Sequence, residues 1–484
     1  MFIGEKGGII FVSVLKLNFR SDSMKQLNEY DKLIDSVKKI HMIGIGGAGM
    51  CPLAEILHKK GYELTGSDNN RTDTLSRVES LGIPVTLGHF PENVHGAELV
   101  IHSAAIMKDN PELVEAERLS IPTLERSFLL GAITRQFDNV IGVCGTHGKT
   151  TVTSMITQIL QDANLSPSAI IGGKLPLINA NGICGNSDTL VCESCEYVDT
   201  FLKESPDIAV LLNIDRDHME YFKTDERLID SFRRFIGSST KCVVVNGDDE
   251  RSMIATEGID VEIITVGEND GNDWRAVNII MSKGGFYEFD LLNGDMLVTH
   301  ISLGCPGRHN VLNAAMAAVA AILSGANGED VKYGLSRFGG ACRRFEILGK
   351  PNGIVIADDY AHHPKELEVT LNTAKAMGFN RVFAVFQPFT FSRTSMLLDE
   401  FARVLKIADQ VVLSQIMGSR EKNTYGVHTS QIAEKIDGSV YFDTFEEIAD
   451  YIVDNAKEGD LVITLGCGDI YKAAKIMLKK YEEK

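Results

Sequence analysis

Positive charge is what this sequence is short of. Against 66 aspartates and glutamates stand 48 lysines and arginines, a net charge of −18 at neutral pH. A chain of that sign repels nucleic acid and anionic membrane surfaces, so neither is an expected partner. Any phosphate-bearing ligand must be held by local lysine, arginine, metal ion and backbone N–H groups. No apolar run approaches the ~20 residues of a membrane helix. The stretch Gly8 to Leu15 is apolar but short. It is flanked by Glu5, Lys6 and Lys16, and no small-residue cleavage site comes after it, so it makes a poor signal peptide. The cytoplasm is the expected location. The nine cysteines are odd in number and scattered, which argues against a disulfide framework. Cys192 and Cys195 form a lone C-x-x-C. Without a second pair they read as two buried or partly buried thiols, not as a zinc site. Internal repeats, heptad arrays and low-complexity tracts are also missing.

The composition suggests about three domains in 484 residues, with an ordinary balance of 44% hydrophobic and 24% charged residues. Residues 1–23 are unlike the rest of the chain and stay unassigned, with Met24 as an alternative start. Short strand patterns alternate with helical ones through 24–138, 139–335 and 336–484. The expectation is therefore α/β throughout, with mainly parallel sheets. Residues 250–300 are less regular and read as an antiparallel or irregular insertion. An alanine-rich helix is predicted from Val311 to Leu323.

The densest chemistry lies in GVCGTHGKTT, Gly142 to Thr151. Val140-Ile141 closes an apolar run before it, and a helical pattern, Val152 to Leu160, comes next. This is strand, glycine-bracketed turn, helix. The glycines let N–H groups converge on an anion, and the helix start adds partial positive charge. Lys149 is placed to reach β/γ-phosphates, and the Thr150 hydroxyl to bind Mg²⁺. Val143 stands where the general phosphate-loop pattern has its first glycine, with Gly142 and Gly145 on either side. Two further strand ends carry polar groups. Glu193 ends one, and Asp217 and His218 lie just past the next. Carboxylate oxygens suit Mg²⁺, and a histidine ligand also suits Mn²⁺. Thr150, Glu193, Asp217 and His218 are therefore the groups on offer to a metal ion.

A second glycine turn, Gly44-Ile45-Gly46-Gly47-Ala48-Gly49, succeeds the strand Lys39–Ile43. A second strand, Tyr62 to Thr65, ends near Asp68. By itself this G-x-G-x-x-G specifies only a phosphate-bearing ligand at a helix start. An NAD-dependent dehydrogenase would use it and Asp68, but would leave Lys149, Glu193 and His218 unexplained. A P-loop regulatory ATPase would use the loop and leave PGRHN (306–310) and DDYAHHP (358–364) unexplained.

Taken as a set, the runs IGIGGAGM (43–50), GHFPEN (88–93), HSAAI (102–106), GTHGKTT (145–151), NIDRDHMEYF (213–222), PGRHNVLNA (306–314), RRFE (343–346), DDYAHHPKE (358–366) and GCGDI (466–470) resemble the Mur ligase family. They occur in family order from about residue 39 to 474. The resemblance implies three domains: a Rossmann-like N-terminal one for a UDP-sugar, a central P-loop ATPase-like one, and a C-terminal Rossmann-like α/β domain that closes over ATP and binds the amino acid. It implies an ADP-forming ligase of peptidoglycan synthesis that joins L-alanine to the lactyl carboxylate of UDP-N-acetylmuramate through an acyl phosphate. The competing member of the family recycles tripeptide onto the same UDP-sugar. Monomer and homodimer both stay open.

The same resemblance implies the site residues. Gly46, Gly47 and Ala48 match diphosphate contacts, with Asp68, His89 and Ser103 as further UDP-sugar contacts. Gly145, Thr146, His147, Gly148, Lys149, Thr150 and Thr151 form the ATP phosphate loop. Asn310 and Asn313 match adenine contacts, and Arg343 and Asp359 match third-domain contacts to ATP. Lys149, Glu193, His218 and His362 are the implied catalytic set, and Thr150, Glu193 and His218 the implied metal ligands. Tyr360, His362 and Arg393 are implied at the amino-acid site. Phe389-Thr390 stand where the family often has His-Arg, so Arg393 is expected to carry most of the grip on the alanine carboxylate.

Overall fold

The computed structural model describes residues 29–282, 284–419 and 421–483. The sequence readings on residues 1–23 and Met24 lie outside them. Three sheets succeed one another along the chain. The first holds five parallel strands in the order 85–87, 63–68, 39–43, 99–102, 123–125. The second has ten strands, its parallel centre running 262–267, 242–246, 208–211, 139–144, 189–193, 168–175. The third has six, of which 355–359, 461–465, 382–386, 410–413 and 440–441 are parallel.

The strands form where short buried runs were read. Cys242–Asn246, Val382–Phe386 and Leu461–Leu465 are buried at every position, as strands covered by helices on both faces must be. The alanine-rich helix spans His309–Leu323 and buries an almost unbroken run from Ala314 to Ala321. Small side chains let it lie close against the helix Lys149–Asp162, which starts at the phosphate loop. The second strand, read as ending at Thr65, runs Glu63–Asp68, so Gly66, Ser67 and Asp68 are strand residues rather than turn residues. Its register explains this: Met42 pairs with Gly66 and Ile43 with Ser67. The 250–300 region resolves into a helix, Glu250–Thr256, one more parallel strand, Glu262–Gly267, and an antiparallel meander, Trp274–Ser302.

The first two sheets are not joined by a bare linker. Val140, Ile170, Leu190 and Cys192 of the second sheet share a core with Leu53, Ile56, Leu129 and Ile133 from the helices Cys51–Lys59 and Arg126–Thr134. The third sheet has its own cores on its two faces. All nine cysteines are free, Cys192 buried and Cys195 half-buried, as the lone C-x-x-C suggested.

Candidate active site

The C-terminal ends of the central parallel strands converge on one cleft, where an open parallel sheet presents its ligand groups. Strand Asn139–Cys144 ends in the glycine turn, and Gly145 and Gly148 take φ of +134° and +87°. A Cβ at Gly148 would lie 2.9 Å from Asn313 Oδ1, so the turn and the alanine-rich helix touch here through glycine alone. Asn313 donates to Asn310 Oδ1 (3.0 Å), and Asn310 donates to the Pro306 carbonyl (2.7 Å). Asn213, from the next strand end, accepts the His147 N–H (2.9 Å) and so fixes the tip of the turn.

A cavity of about 690 Å³ opens beside this turn. His147, Gly148, Thr151, Asn310 and Asn313 line its central-sheet wall, and Arg344, Asp359, Lys365 and Glu366 line the wall from the third sheet. Burial pushes the Asp359 carboxyl up to about 6. Its oxygens accept the N–H groups of Phe345 (2.7 Å) and Ala361 (2.8 Å), which shape the loop around it.

Lys149 is half-buried and donates to the carbonyls of Gly145 (2.5 Å) and Thr146 (3.1 Å) and to Glu196 Oε2 (2.9 Å). Burial opposes its charge, but Glu196 beside it more than compensates and holds the ammonium charged. Thr150 and Glu193 each lie against one of two consecutive glycines, Gly173 and Gly172. A Cβ at Gly172 would lie 2.5 Å from Glu193 Oε2, and one at Gly173 would lie 2.9 Å from the Thr150 methyl. Glu193 Oε2 accepts the Gly172 N–H (2.8 Å); its other oxygen and the Thr150 hydroxyl take no hydrogen bond among the described residues. His218 sits in the left-handed region at φ +54°, its ring 4.6 Å from that of Tyr197 and its Nδ1 3.4 Å from Glu220 Oε1.

A second cavity, about 290 Å³, lies between the first glycine turn and the central sheet. Gly47, Ser103 and Arg126 line one side, and Gly172, Glu193 and Cys195 the other. The remaining UDP-sugar candidates play other parts in the turn. Gly46 is buried and donates to Asp68 Oδ2 (3.1 Å), so Asp68 braces the turn from within, while Gly47 and Ala48 are exposed at its tip. His89 belongs to a buried network, with its Nδ1 3.2 Å from Ser67 Oγ and 3.0 Å from Glu112 Oε2.

In the third sheet the structure departs most from the sequence expectation. Arg343 does not line the larger cavity. It donates to Asp358 (2.8 Å) and to the Gly466 carbonyl (2.7 Å), between the rings of Tyr360 and Tyr471. Its neighbour Arg344 faces the cavity instead. His362 is held by Glu366 (Nδ1 to Oε2, 3.2 Å). Burial lowers its pKa, but Glu366 and Cys467 outweigh that and carry it up to about 10, so the ring is an imidazolium at neutral pH. Arg393 donates to Asp217 of the central sheet (3.1 Å). Thr390 caps the helix Phe391–Met396 that carries Arg393, its hydroxyl accepting the Arg393 N–H (3.4 Å).

Four groups that organise this cleft went unread in the sequence: Glu196, Asp215, Arg344 and Glu366. Arg126 in the second cavity joins them. Glu196, Asp215 and Glu366 act through partners distant in sequence, Lys149, Lys365 and His147, and no local spacing announces such pairs.

Comparison with known proteins agrees with this geometry. Residues 39–138 match the Mur ligase family catalytic domain, 143–321 the Mur ligase middle domain, and 343–468 the Mur ligase glutamate ligase domain. The UDP-N-acetylmuramate–L-alanine ligase of Acetivibrio thermocellus is 42% identical over 94% of this chain and 98% of its own. That of Caldicellulosiruptor bescii is 42% identical over 92% of this chain and 99% of its own. The crystal structure of UDP-N-acetylmuramate-alanine ligase MurC from Thermotoga maritima superimposes with a TM-score of 0.79 at 26% identity, covering 92% of this chain and 99% of that one. A murein peptide ligase from Psychrobacter arcticus shares the fold, with a TM-score of 0.71 at 23% identity over 92% and 99% of the two chains. This chain belongs to the Mur ligase family.

Proposed function

We propose that this chain is the ATP-dependent ligase that joins L-alanine to the lactyl carboxylate of UDP-N-acetylmuramate, releasing UDP-N-acetylmuramoyl-L-alanine, ADP and phosphate. Identity of 42% across 94% of the chain to a ligase of that name carries the reading. The product is a peptidoglycan precursor. Units of residues 24–138, 139–335 and 336–484 would take the UDP-sugar, ATP and the amino acid.

A carboxylate and an ammonium do not condense unaided in water. A lactyl carboxylate oxygen attacks the γ-phosphorus, and the bond to the bridging oxygen breaks, leaving ADP. The free amine of L-alanine attacks the acyl carbon, and phosphate departs from the tetrahedral intermediate with its electron pair. Two anions must meet for the first step, so cations must stand there. Lys149 is one. Thr150 and Glu193, each against one of the glycines Gly172 and Gly173 and each with an unspent oxygen, fit a Mg²⁺ ion, with His218 as a third ligand and Mn²⁺ as a substitute. No group of three His, Cys, Asp or Glu side chains able to hold a metal occurs among the described residues. That suits Mg²⁺, which takes one or two protein carboxylates and completes its shell with phosphate oxygens and water. Such an ion would neutralise charge between the carboxylate and the γ-phosphate. The charged ring of His362 acts as a donor to an anion, not as a base.

Gly47 and Ala48, exposed at the tip of the turn, hold the diphosphate with Gly46 bracing them from within, and Ser103 and Arg126 extend that site toward Glu193. Asp68 and His89 support it from behind. Asn310, Asn313 and Asp359 take the adenosine, and Arg344 assumes the ATP role expected of Arg343. Tyr360, His362 and Arg393 form the amino-acid site. All these groups come from one chain, so a monomer or a homodimer serves equally. The cytoplasm, where ATP is available, is the place for the reaction; no helix among the described residues is long and apolar enough to cross a membrane.

The test is phosphate release from ATP and UDP-N-acetylmuramate with a panel of amino acids and a tripeptide. L-alanine should support turnover. Turnover with tripeptide alone would assign the recycling reaction instead.

A further inference from the structure

Lys149 has no donor to spare. Its ammonium has three N–H groups. They serve the Gly145 and Thr146 carbonyls and both oxygens of Glu196, at 3.1 and 2.9 Å. The two carbonyls belong to the phosphate loop and move with it. Glu196 does not. It lies beyond the strand Thr189–Glu193, leads into the turn Tyr197–Lys203 and is 3% exposed. Lys149 is its only ion-pair partner among the described residues.

A phosphoryl oxygen that approaches Lys149 therefore meets a carboxylate already bonded to it. The two anions compete for one donor and repel each other. A buried lysine with no counter-charge would lose either its charge or its position. Glu196 secures both.

We propose that Glu196 is a positioning residue that competes with the phosphates of the nucleotide for the Lys149 ammonium, so that nucleotide binding is an exchange of one anion for another. The proposal rests on the ATP-dependent reading above. It has two consequences. Nucleotide binds less tightly than the loop alone would allow, and ADP leaves faster because Glu196 recaptures the ammonium.

The experiment compares full-length wild type with Glu196→Gln, which keeps size and hydrogen-bonding capacity but removes the charge. Calorimetric titration with ADP in Mg²⁺ should show binding tighter by at least about fivefold, the low end of coupling between competing ligands. Affinity for UDP-N-acetylmuramate should not change. The Michaelis constant for ATP should fall together with kcat, because product release slows. Glu196→Asp keeps the charge on a shorter stem and should lie between the two. In a Lys149→Ala background the substitution should no longer change ADP affinity. A merely structural Glu196 predicts weaker ADP binding in the Gln variant. That result, or unchanged ADP affinity, would overturn the proposal. Absence of UDP-sugar-dependent phosphate release in wild type would overturn the ligase reading instead, and would leave the ADP comparison intact.

Discussion

Lys149 and Glu196 form a buried pair, with side chains 14% and 4% exposed, and truncating one partner leaves the other charged without a counter-ion. Lys149→Ala should therefore do two things at once. Phosphoryl transfer should disappear, and stability should drop by about 3 kcal/mol, as is usual when one member of a buried pair is removed. Lys149→Ala with Glu196→Gln should recover most of the stability and none of the turnover. Denaturant unfolding and phosphate release, measured on both variants, check this. Equal stability losses in the single and double variants would mean that the pair is not the cause. Arg393 makes a second residue-scale case. Its bond to Asp217 leaves other guanidinium N–H groups for a carboxylate. Arg393→Ala should raise the Michaelis constant for L-alanine by about 30-fold, ~2 kcal/mol, and that for ATP much less. Lys in its place should restore little, since an ammonium cannot form the planar fork. If Asp217→Asn raises the alanine constant as far, Arg393 acts by holding the two lobes together and not by gripping the substrate.

At the scale of single elements, the glycine turn is where conformation and contact impose the same choice. Gly148 has φ +87°, and a Cβ there would meet Asn313 Oδ1 at 2.9 Å. Gly148→Ala should cost about 1–2 kcal/mol for the left-handed backbone, before any displacement of Asn313 is counted. ATP affinity should fall with it, because Asn313 lines the cavity proposed for ATP. An alanine variant with wild-type melting temperature and ATP affinity would contradict this account. The helix Phe391–Met396 shows the same economy of means. Thr390 supplies the N-cap of the short helix that presents Arg393. Thr390→Ala should cost about 1 kcal/mol of stability. It should also raise the Michaelis constant for alanine, since the helix sets the direction of Arg393. Thermal melts and alanine titrations of one preparation decide both points.

Over the whole molecule, the central and C-terminal lobes meet through paired opposite charges. Asp215 bonds Lys365, Asp217 bonds Arg393, and His147 lies 3.4 Å from Asp215 and 3.6 Å from Glu366. Arg251 also faces Asp215, the His363 ring lies 6.0 Å from that of His147, and His362 shares Glu366. Burial pulls the His147 pKa down, but Asp215 and Glu366 outweigh it and raise the value from 6.5 to about 9. A raised histidine pKa contributes attachment that is complete below 6.5 and is lost as pH climbs through about 9. Scattering should therefore show the protein opening across that window, and Glu366→Gln should flatten the response. The pairs are partly exposed, so raising the salt concentration should open the lobes at fixed pH as well. A radius of gyration indifferent to pH and salt would rule out an electrostatic latch.

Much of this protein is written locally. The strand–glycine–helix order around Gly145 to Thr151, the apolar strands Cys242–Asn246 and Leu461–Leu465, and the alanine-rich helix come from periodicity and backbone freedom, which act between near neighbours. Motif order alone placed the chain in its family, because each run is chemistry that a site demands. Local signals also had limits. The second strand extends three residues beyond Thr65 because its register with Met42 and Ile43 decides its end, and 250–300 sorts into sheet only when its pairings are known. Tertiary structure alone decided which charges meet. That Arg344 and not Arg343 lines the larger cavity comes from Asp358 and two tyrosine rings capturing Arg343. That Lys149 answers to Glu196, and His147 to Glu366 across 219 residues of chain (366 minus 147), comes from the packing of separate sheets. Backbone preference decays over a few residues, whereas charges buried in a low-dielectric cleft select partners by distance in space.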